Sequence, residues 1–319
     1  MQVPSLPLAL TQPLIVGEEV ALKIMLDLTV YLEEPTEHAF EYLLDLYEST
    51  CPPDRLLEFK IGELPLWSSI ANPMLTMHGR AAVGAGIRRP YFETVRERIR
   101  QGRAFEAQYW DGMDIDEPRG SWNLNCQAMH IRDEGLFAFA RVLLPLDTDL
   151  NVLLDTALAI AENVPLHSGH GGLVFVYEPL LLEDAFDAIY TRARRFWGVD
   201  IEHMNGTLPL IRDGIKGVNW ITMIGRDFAS RLDIHAALGN DPEVTIAQRK
   251  QATVLVAGPH PATCDQNRPD LSRDAYVAVA NALAPLFLAE HPDFPGERFA
   301  TNGNTMGWIR RFIDPAGWR

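Results

Sequence analysis

The chain has 319 residues, with 28 Lys and Arg against 43 Asp and Glu, which gives a formal net charge of −15. A composition of 47% hydrophobic and 22% charged residues is that of a folded globular protein and excludes global disorder. The negative charge also excludes general nucleic-acid binding by phosphate neutralisation, so in a nucleic-acid system the expected partner is a basic protein.

The N-terminal half predicts a long strand, a helix and a meander of three strands. Apolar and polar residues alternate over 19–32, which predicts a strand with one buried face. A helix is predicted from Glu37 to about Ser49, where Cys51 and two prolines end it. The remaining predictions are a strand at 54–62, a surface helix at 91–101, and an antiparallel meander at 104–110, 121–131 and 135–144.

The C-terminal half mixes helices and strands. Asp147 or Asp149 is predicted to cap a helix that ends near Asn163, and the glycines of 167–172 predict a turn. After that turn the pattern predicts strands at 173–177 and 215–225, a hairpin of 243–247 and 252–257, and helices at 182–196, 227–238, 275–289 (kinked or split at Pro285) and 305–312.

Neighbouring strands joined by short turns favour an α+β fold with a largely antiparallel sheet, or sheets, and packed helices. No low-complexity linker divides the chain. We therefore predict a single large two-lobed domain over residues 19–319, preceded by an N-terminal segment at 1–18.

Cysteine usage and the absence of targeting signals predict a cytoplasmic protein. Cys51, Cys126 and Cys264 form no CxxC pair, which fits a reducing compartment and argues against disulfides or a thiolate zinc site. The first residues lack a basic region, and prolines interrupt their apolar run, so no signal peptide is predicted. No apolar stretch reaches the roughly 18 residues of a membrane span.

Charge is unevenly distributed along the chain. Residues 1–50 hold nine acids and one base, and residues 142–191 hold eight acids and no Lys or Arg. The basic cluster consists of Arg88, Arg89, Arg96, Arg98, Arg100 and Arg103. Such runs are typical of solvated helix faces, and the acidic ones also suit a surface that steers a basic partner.

The sequence contains no recognisable arrangement of catalytic residues. His167 and His170 have the best metal-ligand spacing, but the surrounding glycines favour a turn, and no HExxH pattern accompanies them. Ser168 lacks a GxSxG elbow, and phosphate-binding loops are absent. We therefore predict no catalytic residues, no metal and no cofactor, and the protein is expected not to be an enzyme. A soluble metal-dependent hydrolase that uses His167 and His170 is the alternative.

Two segments stand out. The first, residues 105–118, combines carboxylates with aromatic residues and Met113, which is the chemistry of a protein-binding patch. An alternating strand would also bury Tyr109 or Trp110 in the core. The predicted partner-binding residues are Trp110, Asp111, Asp114, Asp116 and Glu117, and the acids of 142–191 are the second candidate.

The second segment, residues 214–225, is apolar except for Lys216, Asn219 and Thr222. The short polar side chains of Asn219 and Thr222 are expected to satisfy backbone groups in a buried turn and strand.

Several motifs resemble those of the type VI secretion immunity proteins (TsiV-like). They are LHSGHGGL at 166–173, FWGVD at 196–200, DGIKGVNWIT at 213–222, ALAPL at 282–286 and CPP at 51–53. The resemblance runs from about residue 20 to 312, so the domain at 19–319 is expected to be a TsiV-like immunity domain.

The resemblance implies a cytoplasmic antitoxin that binds and neutralises a cognate type VI effector, often a restriction-endonuclease-like nuclease. It implies no catalytic residues, and its motif residues look structural. We expect an acidic surface to occlude the active site or basic cleft of the toxin, with no direct contact to nucleic acid or membrane. An adaptor that carries an effector without inhibiting it is a further alternative.

Overall fold

The computed structural model describes residues 1–52, 55, 58–62, 80–82, 88–111, 122–131, 135–239, 241–268 and 272–318. Within these residues twelve strands form one sheet. The strands are β1 (Leu14–Val16), β2 (Glu19–Leu32), β3 (Glu58–Gly62), β4 (Arg80–Ala82), β5 (Phe105–Trp110), β6 (Asn123–His130), β7 (Leu136–Leu144), β8 (Leu166–Tyr177), β9 (Asp200–Ile201), β10 (Ile221–Gly225), β11 (Val244–Gln248) and β12 (Ala252–Ala257).

The spatial order of the strands is β11-β12-β10-β8-β2-β7-β6-β5-β3-β4, with β1 beside β2 and β9 beside β8. Every pairing along this path is antiparallel, and β9 pairs with β8 in parallel. The predicted meander is confirmed as β5-β6-β7, and the predicted hairpin as β11-β12. The predicted α+β class with a largely antiparallel sheet is therefore confirmed.

The α-helices of the described residues precede, separate and follow these strands. They are α1 (Leu8–Thr11), α2 (Glu37–Thr50), α3 (Arg88–Arg100), α4 (Leu150–Asn163), α5 (Leu182–Ala193), α6 (Met204–Thr207), α7 (Arg226–Ala229), α8 (Ile234–Leu238), α9 (Ser272–Leu283), α10 (Glu297–Ala300) and α11 (Asn304–Ile309). The predicted cap of α4 is confirmed as Asp149, which accepts from the Asn151 N–H. Helix α2 is capped by Thr36, which accepts from the Ala39 N–H.

Both faces of the central strand β2 are buried, whereas the sequence predicted one. The even-numbered residues Leu22 to Leu32 pack in the main core, where helices such as α2 and α4 cover the sheet. The odd-numbered residues Met25, Asp27, Thr29 and Tyr31 are 0–3% exposed. On this second face, Leu208 and Ile211 pack against Tyr31. The alternating polar residues of β2 therefore point into the protein rather than into water.

The predicted glycine turn at 167–172 is wrong, because these residues belong to the central strand β8. A Cβ on Gly169 would lie 2.8 Å from the backbone oxygen of Thr29, and one on Gly171 would lie 3.0 Å from that of Asp27. The glycines thus permit close approach of the neighbouring strand β2. A run of glycines in a sequence usually indicates a turn, whereas here the glycines allow two strands of the sheet to pack closely.

Three other elements differ from the sequence prediction. The strand predicted at 215–225 is shortened to β10, because residues 214–220 are irregular and contact the chain at Phe287. The helix predicted at 227–238 is split into α7 and α8. The helix predicted at 275–289 ends at Leu283 and continues as a 3-10 turn that contains Pro285.

The N-terminal segment packs on the sheet rather than standing apart from it. Leu10 of α1 is fully buried, and β1 pairs with the first residues of β2. The boundary predicted between residues 18 and 19 stays a prediction. Among the described helices, none is both long enough and apolar enough to cross a membrane.

Candidate functional site

A buried cluster of charged side chains lies on the second face of the sheet. His170 stands on β8, beside Thr29 of β2 and Thr222 of β10. Asp200 belongs to β9, which pairs with β8, and Glu202 follows directly after that strand. Lys216 comes from the irregular segment before β10. Three separate parts of the chain thus supply four ionisable groups, each 2–5% exposed.

The ammonium group of Lys216 lies at the centre of this cluster. Its Nζ donates to Asp200 Oδ2 at 2.8 Å, Glu202 Oε2 at 2.7 Å and the carbonyl oxygen of Ile201 at 3.1 Å. The Nε2 atom of His170 lies 3.0 Å from Asp200 Oδ2 and 2.9 Å from Glu202 Oε2. Both carboxylates therefore bridge the same two cations, and each buried charge has partners.

The pKa values of the cluster follow from these contacts. Burial would raise the pKa of Asp200 and Glu202, but Lys216 and His170 outweigh burial and lower both. Burial and Lys216 would lower the pKa of His170, yet the two carboxylates raise it to about 9. The pKa of Lys216 is raised by the same carboxylates against burial. At neutral pH the cluster therefore holds two negative and two positive charges.

The neighbouring strands carry a second ion pair and a tyrosine bond. Arg141 Nε donates to Asp27 Oδ2 at 2.9 Å, and Thr29 Oγ1 donates to Asp27 Oδ1 at 2.9 Å. Tyr31 OH donates to Glu202 Oε1 at 3.2 Å. Burial raises the pKa of Asp27 despite the opposing effect of Arg141. These bonds tie β2 and β7 to the segment that follows β9.

Two more histidines border the cluster. His291 Nε2 lies 3.1 Å from Thr207 Oγ1, and its ring centroid lies 6.3 Å from that of His203. Burial lowers the pKa of His203 and lowers that of His291 to about 4. Both rings are therefore neutral at physiological pH.

Three side chains of the cluster offer the kinds of donor atom that bind metal ions. One ligand atom each from His170, Asp200 and Glu202 lie within 4.8 Å of one another, and such mixed nitrogen and oxygen donors suit zinc or manganese. Lys216 Nζ, however, lies 3.4 Å or less from all three donor atoms. A metal would have to displace this ammonium group. Because Lys216 is protonated, it is also a poor nucleophile or base.

His167 and His170, the two histidines with metal-ligand spacing, do not face the same site. Residues three apart on a strand point to opposite faces, so His170 enters the cluster while His167 lies on the other side, near Phe228. His170 instead meets Asp200, Glu202 and Lys216. Pattern reasoning missed these partners, although Asp200 ends the FWGVD motif and Lys216 lies within DGIKGVNWIT.

The expectation for Asn219 and Thr222 is confirmed. The side chain of Asn219 accepts from the Trp220 N–H at 2.8 Å, and Thr222 Oγ1 accepts from the Asn219 N–H at 3.2 Å. Thr222 Oγ1 also donates to the Asn219 carbonyl oxygen at 3.2 Å. These polar residues therefore fix the turn that leads into β10.

The predicted partner-binding residues fall at the β5–β6 connection. The backbone of Trp110 pairs with Asn123 at the end of β5. Asp111 is 0% exposed, and its Oδ2 accepts from the Trp122 N–H at 3.3 Å. Asp114, Asp116 and Glu117 lie outside the described residues. Tyr109 is the buried core aromatic that strand alternation allowed, and its hydroxyl donates to Glu48.

Some of the acids of residues 1–50 are paired within the molecule. Arg100 Nε donates to Glu37 Oε1 at 2.7 Å, and Arg96 pairs with Glu41. These contacts join α3 to α2, so the basic cluster of the sequence serves partly to hold two helices together. The acids of 142–191 differ, because all but Glu178 are exposed.

Comparison with known proteins gives the family. A family model described as type VI immunity for VRR-NUC (TsiV) matches residues 144–312. The chain belongs to the TsiV family. The TsiV match contains all four cluster residues, whereas the predicted partner-binding residues precede it. A type VI immunity family is thus established, and the resemblance seen in the motifs is confirmed.

A solved structure has a similar fold. The Pseudomonas aeruginosa T6SS protein PA0821 superposes with a TM-score of 0.70, covering 94% of this TsiV-family chain and 87% of that chain. The two sequences are 15% identical, so this likeness concerns the fold alone. Among curated proteins, none matches the chain.

Proposed function

We propose that this protein is an immunity protein that binds a VRR-NUC-type nuclease effector and neutralises it by covering its active site or basic substrate cleft. The observation that carries the proposal is the TsiV match over residues 144–312. A nuclease needs a basic cleft to hold phosphates, and a chain with net charge −15 is electrostatically suited to such a surface.

We infer that the protein acts by binding and not by catalysis. The strongest concentration of perturbed pKa values in the described residues is the His170–Lys216 cluster, and such clusters are the usual candidates for catalytic sites. Here each charged group is bonded to another, and the side chains are 1–6% exposed. A substrate has no access to these atoms, which supports a structural role.

The cytoplasm is the proposed location. Cys51, Cys126 and Cys264 are buried and form no disulfide within the described residues. Burial raises the pKa of the Cys126 thiol to well above its usual range. Reduced thiols fit a reducing compartment, which is also where a nuclease effector would meet DNA.

The first test is co-expression with a VRR-NUC effector, followed by purification through a tag on one partner. We expect a stoichiometric complex with suppressed DNA cleavage and protection of cells that express the toxin. A complex that still cleaves DNA would identify an adaptor and would contradict the proposal. Absence of both binding and protection would contradict it as well.

The proposed contact residues Trp110, Asp111, Asp114, Asp116 and Glu117 need a narrower test. Because Asp111 is buried and bonded to Trp122, it is left intact. The triple variant Asp114→Lys, Asp116→Lys, Glu117→Lys should weaken binding and its salt dependence. Its matched control reverses three exposed acids elsewhere, Glu34, Asp213 and Asp293. Equal affinity of both variants would exclude the loop as the contact surface.

A further inference from the structure

The strand register collects acidic turns at one end of the sheet. The end of β8 pairs with Leu22 near the start of β2, and the end of β7 pairs with Leu26. The β1–β2 turn, the turn after β7 and the turn after β8 therefore emerge on the same side. We call this surface the acidic end, and it comprises Glu18, Glu19, Asp147, Asp149, Glu178, Glu183 and Asp184.

Contacts show that these turns are neighbours in space. The Glu178 N–H donates to the Ala21 carbonyl oxygen at 3.0 Å, which joins the turn after β8 to β2. The Leu150 N–H donates to the Met1 carbonyl oxygen at 2.6 Å, which joins the turn after β7 to the N-terminal segment. Helix α5 also packs against β1. The acidic end is thus one continuous region.

The charge of this region is one-sided. Its turns, residues 17–19, 145–149 and 178–184, contain no Lys or Arg, and its carboxylates are exposed except for half-buried Glu178. One of them, Asp149, pairs with the ammonium group of Met1. Within the described residues, no ion pair forms at Glu18, Glu183 or Asp184. The opposite end of the sheet has mixed charge, because its described turns carry both bases and acids: Arg103, Arg226, Arg231, Arg249 and Lys250 with Glu33, Glu34, Asp227 and Asp233.

Exposed apolar side chains lie within the same region. Leu180, in the turn after β8, is 84% exposed, and Ile15 of β1 is 59% exposed. The helix α5 that packs against β1 begins directly after the turn of Leu180. Large apolar side chains inside a rim of polar groups are the composition of a protein-binding surface.

We propose that the acidic end is a docking surface for a basic protein, with Leu180 and Ile15 as its apolar contacts. Exposed carboxylates such as Glu18, Glu183 and Asp184 attract a positively charged surface and speed association with it. They repel a second copy of the same end. Resting on the proposed function, the occupant is the basic face of the nuclease effector. The flanks of the β5–β6 connection emerge at the same end, since Asn123 pairs with Leu143.

The test measures association with the catalytic domain of a VRR-NUC effector that wild-type protein binds. The variant Glu18→Lys, Glu183→Lys is compared with Glu34→Lys, Asp213→Lys, which changes the net charge equally with exposed residues elsewhere. We expect the first variant to associate about tenfold more slowly at low salt and to show weaker salt dependence, and the second to change little. Unfolding midpoints verify that both variants are folded.

A second variant tests the apolar contacts of the acidic end and leaves its charges unchanged. Leu180→Ser alters a side chain that is mostly in solvent, so folding should be unaffected, while the dissociation rate should rise severalfold. If the effector binds wild-type protein and all three variants alike, the docking surface is wrong while the immunity function stands. If no VRR-NUC effector binds wild-type protein, the proposed function fails first. Self-association lost in Leu180→Ser would also overturn the proposal, because it would assign the surface to a second copy.

Discussion

At the scale of single residues, Lys216 determines whether the buried cluster is neutral. Its ammonium group contacts two carboxylates that have no access to solvent. Replacing it with methionine keeps the chain length and leaves those charges uncompensated. We expect Lys216→Met to lower the free energy of unfolding by about 3–5 kcal/mol, as when one member of a buried pair is removed.

Urea unfolding with tryptophan fluorescence measures this change. The control is Lys250→Met at an exposed position, which should alter stability by no more than about 0.5 kcal/mol. Equal stability of the two variants would show that the cluster does not hold the fold together.

The cluster could not be assembled from the sequence. Three separate segments supply His170, the Asp200–Glu202 pair and Lys216, and tertiary pairing such as that of β9 with β8 brings them together. Asn219 and Thr222 were predictable because their bonds are local, within three residues. Local chemistry can be inferred from a pattern, whereas contacts made by tertiary pairing cannot.

At the scale of elements, glycines in the family motifs mark where segments touch. A Cβ on Gly198 would lie 1.9 Å from the Ala262 carbonyl oxygen, while one on Gly217 would have its nearest neighbour at 3.6 Å. We expect Gly198→Ala to destabilise the protein by about 1–3 kcal/mol or more through overpacking. Gly217→Ala should change stability by less than about 1 kcal/mol.

Thermal unfolding gives the melting temperatures of the two alanine variants, which can be compared directly because each substitution adds one methyl group. Similar melting temperatures would contradict the packing argument. A large loss in Gly198→Ala with a small one in Gly217→Ala would place the structural role of the FWGVD motif at its contact with the chain around Ala262.

Elements with a strong period were predictable, and those with glycines were not. The strand at 19–32 and the helix that ends at Asn163 agree with β2 and α4 because hydrophobic spacing and a capping Asp define them. The glycines of β8 follow no such rule. Their role depends on the neighbouring strand β2, which is more than 130 residues earlier in the chain.

At the scale of the whole molecule, buried histidines give stability an optimum near neutral pH. The pKa of His170 is raised to about 9, so its stabilising effect is complete below its ordinary value of 6.5 and is lost as the pH rises through 9. The pKa of His291 is lowered to about 4, so stability falls as the pH drops from 6.5 towards 4.

Urea unfolding across pH 5 to 9.5 checks this profile. The alkaline decline should amount to about 3 kcal/mol at most and should disappear in His170→Gln. The acid decline should weaken in His291→Gln. Exposed His235→Gln is the control and should leave the curve unchanged in shape. A wild-type curve that is flat on the alkaline side would show that His170 is not held protonated.

The net charge of −15 anticipated a basic partner but could not give the direction of the field. That direction arises from strand order and register, which place Glu18 and Glu183 at one end and Arg249 and Lys250 at the other. The net charge adds all residues together, so it carries no information on where the acids and bases lie in the fold. The fold gathers part of the excess of acid at one end of the strands.

The acidic end and the buried cluster share no residue, and this separation bears on how the protein diversifies. Substitutions in the exposed turns leave the bonds of His170 and Lys216 intact, so their effects on recognition and on folding should be nearly additive. Substitutions in a few surface turns could therefore change which toxin the protein binds, while every variant along the way still folds.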